Sequence, residues 1–314
     1  HAYTDGISMV PDLAPAAEQA CGAATLLELI RYFRSRELPT ARPVYALFTG
    51  AHGQALSGMV HFVRTLKEGL AEEWEGRKDT LLARMGAPGL FVGLDLSSHS
   101  ERFGLFCFGR FRSQNEGRLR PRFSMLGLKL EEYASTLAPR DHEAEEEQPP
   151  PGFVDCINLT RGRGWWTYFP YQAPFESEIP TLAGMPGITL STINDERRYV
   201  DTPNDTAENV GFDTLARQLL YRPGEHVGLA RICLALSMWR GPFVSRPLED
   251  HLARLAGRVL WLDQERNYTP NEPLASATVF LKTQRGDKYL CRTRGAPVVM
   301  TDAEGNFAFD GLIE

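Results

Sequence analysis

The sequence is short of cysteine, and what it has is poorly placed for cross-linking. Five cysteines (Cys21, Cys107, Cys156, Cys233, Cys291) are an odd number with no C-x-x-C spacing. That excludes a zinc finger and a disulfide scaffold, and the apolar segments around most of them read as sites of buried thiols. No apolar run approaches the ~18 residues that span a bilayer, so no transmembrane segment is expected. A cationic excess is missing too: the formal net charge is −6, which argues against a nucleic-acid partner. The one basic cluster, Arg110 to Arg122 (RFRSQNEGRLRPR), reads as a solvated hairpin or loop. There is no G-x-S-x-G elbow; in ALSGM the serine, Ser57, has no glycine two positions earlier, and the serine-hydrolase reading fails. No signal peptide or initiator methionine is present. His1 stands in a strand-like context, so the chain reads as a segment of something longer or a processed form.

What remains is ordinary globular material, 43% hydrophobic and 24% charged over 314 residues, enough for one large or two ordinary domains. Residues 16–36 carry Leu26, Leu27, Leu29, Ile30 and Phe33 at helical spacing. PVYALF (43–48) reads as a buried strand, and about Leu56 to Glu73 as a second helix. GLFVGLDL (89–96), FGLFCFGRF (103–111) and GITLSTI (187–193) read as strands, the second antiparallel to the first after a turn. EAEEEQPPPG (143–152) reads as an exposed loop. Asn209 to Tyr221 and Glu225 to Trp239 read as helices parted by Pro223-Gly224. Strands alternating with helices predict an α/β sheet covered on both faces. Near Asp263 the pattern changes to period two, in ASATVFLKT (275–283) and TDAEGNFAFDGL (301–312). The expected division is therefore an α/β unit over 1–262 and a small all-β unit over 263–314.

Four stretches in order resemble the M28 family of zinc aminopeptidases: HAYTDG (1–6), EQACGAATLLEL (18–29), FTGAHGQALSG (48–58) with GLDLSS (93–98), and GMPGITLSTINDERRYVDTPNDTAENV (184–210). The resemblance covers about residues 1–260 and implies a phosphorylase/hydrolase-like mixed sheet with two zinc ions and a glutamate base. The tail resembles a carboxypeptidase regulatory-like, transthyretin-like β domain and reads as incomplete at this length. At the positions the resemblance puts on the metals, this chain departs from the pattern. Tyr3 stands for the first histidine, with Asp5 as its supporting carboxylate. Glu18 replaces the bridging aspartate. Ala51 and His52, or His52 and Gly53 if one residue is inserted, stand where the paired glutamates belong. Asp95 matches a ligand, and Asp201 replaces the final histidine. A positioned base contributes typically ~10²–10⁴-fold, and lost metals would remove water activation as well.

The resemblance thus implies an inactive peptidase-like scaffold or protein-binding module, in which the old cleft holds a polypeptide, at an extracytoplasmic location. No cofactor is expected. The alternative is a metallohydrolase or aminopeptidase with a remodelled site of Glu18, His52, Asp95 and Asp201, holding one or two divalent metals, zinc or the calcium or manganese that oxygen-rich sites favour. His52 is otherwise a turn histidine bonded to backbone, and Asp95 a cap for the turn at Ser97 and Ser98. GRGWW (162–166) is either a partner platform through Trp165, Trp166 and Tyr168 or a core-anchoring loop.

Overall fold

The computed structural model describes residues 1–3, 16–36, 40–53, 56–71, 88–109, 116–137, 152–169, 173–219, 228–250, 252–262, 265, 270, 272–281 and 298–313. Asp5, Cys291, the first part of the basic cluster (110–115) and nearly all of the acidic, proline-rich stretch (143–151) lie outside the described residues.

The α/β class holds at the coarse level. The main sheet has four strands in the order β3-β6-β4-β5, built from β3 (Phe91–Asp95), β4 (Phe103–Phe106), β5 (Phe153–Asp155) and β6 (Gly187–Thr192). β6 is parallel to β3 and antiparallel to β4, which is parallel to β5. The sheet is therefore mixed, and β4 does run opposite to β3, with β6 between them. A short parallel pair, β1 (Ala2–Tyr3) with β2 (Phe48–Thr49), lies beside it: Leu94 N donates to His1 O at 2.8 Å and sets β1 along β3. The central strand β6 is buried throughout. Ile188 and Leu190 supply apolar packing, while its polar residues are buried with partners, as in the 2.5 Å bond between the Ser177 and Thr189 hydroxyls. Buried polar groups require such pairing.

Helices α1 (Cys21–Arg36), α2 (Ser57–Ala71), α3 (Glu116–Leu137), α4 (Trp165–Tyr168), α5 (Glu178–Leu182), α6 (Phe212–Leu219) and α7 (Leu229–Met238) complete this part. One apolar cluster joins α1, α3, α6 and α7 to the sheet, and a second joins α2 and α5 to Phe91 and Met185. α3 corrects the loop expected at 110–122, since residues 116–122 are helical. Its buried residues Leu119, Phe123, Leu126, Leu130 and Ala134 recur every three or four positions, and that stripe outweighs the surrounding charge. Pro121 is the sixth residue of the helix, where it forgoes one intrahelical amide bond near the amino end. A second correction concerns 43–48. Val44 and Tyr45 are exposed and only Phe48 and Thr49 enter a ladder, so the stretch is no buried strand.

The remaining elements are β7 (Leu252–Arg258), β8 (Leu260–Trp261), β9 (Glu272–Pro273), β10 (Thr278–Phe280), β11 (Val298–Met300) and β12 (Asn306–Ile313). They form three antiparallel pairs, β7 with β12, β8 with β9 and β10 with β11. The β7–β12 ladder joins residues on both sides of position 262.

Candidate functional site

The carboxyl ends of β1, β3 and β6 lie together, the place where sheets of this class collect ligands. β1 delivers Tyr3, β3 delivers Asp95 and β6 delivers Ser191. The corner between β2 and α2 delivers His52. That corner is tight: Ala51 and Leu56 hold left-handed φ values of 58° and 59°, and Gly58 packs its Cα against the Gly50 carbonyl so closely that a Cβ would overlap it. Tyr3, Glu18, Gln19, His52, Asp95, Ser97 and Arg197 line one cavity of about 20 Å³, room for about one water.

Four of the expected positions (Tyr3, Glu18, His52 and Asp95) therefore converge, and each is committed to a neighbour. Arg197 Nη1 donates to Asp95 Oδ1 at 2.7 Å, and its Nη2 donates to the Asp95 carbonyl at 2.9 Å and to Ser191 Oγ at 3.1 Å. The Tyr3 hydroxyl also donates to Asp95 Oδ1, at 3.1 Å, and Ser191 Oγ lies 3.1 Å from Oδ2. Burial alone would raise the Asp95 pKa, but the Arg197 guanidinium, with help from His52 and Tyr3, holds the carboxyl below its usual range.

Glu18 is 1% exposed and engaged at both oxygens. Oε1 accepts from Ser98 Oγ at 2.6 Å and lies 2.9 Å from His99 Nε2; Oε2 accepts from Ser98 N at 3.0 Å. His52 is buried; its Nδ1 lies 3.0 Å from Glu176 Oε1 and its ring stacks on Tyr3 at 3.8 Å. Glu176 orients the imidazole as a carboxylate orients a catalytic base. The Ser97 hydroxyl on the cavity wall has no hydrogen-bond partner among the described residues, whereas an activated serine needs its base within bonding reach.

Asp201 and Ala51 are not among the residues lining the cavity. Asp201 is exposed and accepts a 2.6 Å bond from Gln19 Nε2. Among the described residues no group of three or more His, Cys, Asp or Glu is arranged to hold a metal ion. A dinuclear zinc centre does not fit this donor set. The Asp95 and Glu18 oxygens already face donors, and a guanidinium brings its positive charge to the position between strand ends.

The chain matches no family model, no curated protein and no solved structure.

Sequence reasoning missed Arg197, Glu176, His99 and Ser191. Arg197 stands 102 positions from Asp95 and Glu176 124 from His52, so no local spacing announces either pair. Ser98 alone carried a signal, through DLSS directly after β3. The GRGWW loop is part core and part surface. Trp165 is buried in the core, Trp166 is 52% exposed, and Tyr168 is half-buried with its hydroxyl accepting from Arg163 N at 3.2 Å.

Proposed function

We propose that the chain is a catalytically inactive, peptidase-like scaffold or protein-binding module, working outside the cytoplasm, with its strand-end pocket turned from a reaction centre into a structural lock. The observation that carries this reading is the buried Asp95–Arg197 pair at 2.7 Å. A guanidinium cannot be deprotonated in a protein, so it is a permanent counter-ion. A carboxylate held in this way is neither a free base nor a free metal ligand. The cavity supports the same view, since about 20 Å³ admits no substrate side chain. A protein or peptide partner would meet the exterior, where Trp166 offers an exposed aromatic face.

The test is metal analysis of the purified chain together with turnover of amino-acid nitroanilides. The expected outcome is sub-stoichiometric metal after dialysis and no hydrolysis above buffer. Retention of about two zinc equivalents, as two-metal hydrolases require, with hydrolysis that Asp95→Ala abolishes, would overturn the scaffold reading in favour of a remodelled metallohydrolase.

A further inference from the structure

At the β4–β5 edge of the sheet lies a second and much larger cleft, of about 540 Å³, lined by Arg102, Glu131, Leu159, Arg161, Arg163 and Tyr168 among others. Its volume is in the range of ligand sites, ~300–1,000 Å³. Three guanidiniums face one carboxylate among the residues lining it, a local excess of two positive charges on a chain whose net charge is −6. Arg161 Nε lies 3.5 Å from Glu131 Oε2. Neither Arg102 nor Arg163 pairs with a carboxylate among the described residues, and Arg102 Nε is buried with no hydrogen-bond partner. A buried donor left unpaired costs about 1–3 kcal/mol, so the fold carries an unsatisfied guanidinium atom beside the cleft.

The loop that presents Arg161 and Arg163 is held rigidly. The Asp155 carboxylate accepts from Ile157 N at 2.9 Å, Asn158 N at 3.2 Å and Asn158 Nδ2 at 2.5 Å. Asn158 is tied in turn to Ser124 of α3, through bonds of 2.5 and 3.0 Å. Its carbonyl accepts from Arg161 N and Gly162 N. Gly162 lies against the Asp155 carbonyl, where a Cβ would collide, so the loop doubles back over β5 and leaves one arginine on each side. The backbone that carries these arginines is therefore already ordered before a ligand binds.

We propose that this cleft is a binding site for a dianionic phosphoryl group, carried by inorganic phosphate or a small organic phosphomonoester and gripped by Arg102, Arg161 and Arg163. Guanidiniums match phosphate oxygens bidentately, and two uncompensated positive charges match a dianion. Leu159, 53% exposed on the rim, gives an organic body an apolar contact.

The experiment is titration calorimetry of the full chain with inorganic phosphate, phenyl phosphate and acetate at matched ionic strength. At least one phosphate binds with a Kd on the order of 1 mM or tighter, acetate does not, and Arg102→Met and Arg163→Met each weaken binding about tenfold, the worth of one charged hydrogen bond. Tighter binding of phenyl phosphate assigns the site to an ester, and equal binding assigns it to the free ion. Arg163 is exposed, so Arg163→Met keeps its fold, checked by its melting curve. The proposal is overturned by no saturable heat from either phosphate, by acetate binding as tightly, or by unchanged affinity in Arg163→Met. Because the cleft is separate from the strand-end pocket, these outcomes do not depend on whether the pocket is catalytically inert.

Discussion

Arg197 and Arg102 both reach into the interior beside the central sheet, on opposite terms. Arg197 is enclosed by Asp95, Ser191 and the Asp95 carbonyl, and bonds all of them. Arg102 lines an open cleft and pairs with no carboxylate among the described residues. In the first case the charge has a carboxylate partner inside the fold. In the second no carboxylate of the described residues meets it. The contrast teaches that a charged side chain near strand ends is no sign of chemistry until its partners are counted: in the pocket with the more suggestive sequence, the carboxylate already has its counter-ion.

The sharpest way to break the comparison is to unpair the closed pocket. Arg197→Met leaves Asp95 charged and buried, and removing one partner of a buried pair costs about 3–5 kcal/mol. Urea denaturation should show that loss, and Arg197→Met combined with Asp95→Asn should recover part of it. The pH dependence gives an independent sign. In the parent chain Asp95 titrates below the ordinary 3.8 of an aspartate, so its contribution is present above that pH and is lost as pH falls through the lowered folded value. In Arg197→Met the carboxyl titrates above its unfolded value, because only burial then dominates. The slope reverses, and the variant gains relative stability as pH falls. An unchanged acid limb would show that Arg197 is not the counter-ion.

A smaller loss is expected at Ser98→Ala. Ser98 Oγ donates to Glu18 at 2.6 Å and accepts from Gly211 N at 2.8 Å, so its removal strips a buried carboxylate of one donor and a backbone amide of its acceptor. The expected cost is about 1–3 kcal/mol in denaturant midpoint analysis. A cost near zero would mean that Ser98 N and His99 alone satisfy Glu18.

These effects bear on how much a reader of the sequence could see. The strands β3, β4 and β6 were legible because each is a short apolar run closed by turn residues, and strand ends are where Asp95 and Tyr3 had to stand. α3 was hidden because seven of its residues belong to a stretch dense in arginine, and its apolar stripe shows only when the window extends past Arg122 to Leu130 and Ala134. The pocket's convergence was legible through Tyr3, Glu18, His52 and Asp95. Its chemistry was not, because the residues that neutralise those side chains, Arg197 and Glu176, come from distant loops. The arginine cleft was equally hidden. Arg161 and Arg163 were visible beside GRGWW, but Arg102 joins them only through the pairing of β4 with β5.

The mildest substitution separates the two regions most cleanly. Glu131 is the carboxylate in the arginine cleft, and its side chain is 22% exposed while that of Arg161 is 57% exposed. Burial lifts the Glu131 pKa above the usual carboxylate value, against the pull of Arg161. Glu131→Gln removes the charge that competes for Arg161 and keeps a side chain of nearly the same size. A pair this open to solvent contributes about 0–1 kcal/mol, so the melting curve should barely move. Phosphate affinity should rise, and its dependence on salt should steepen, because three guanidiniums then face the ligand without an internal rival. In the enclosed pocket the order of effects is the opposite, large on stability and absent on ligand binding. If Glu131→Gln instead destabilises the chain as strongly as Arg197→Met and leaves phosphate affinity unchanged, the cleft is a second structural lock, and the distinction between the two arginines collapses.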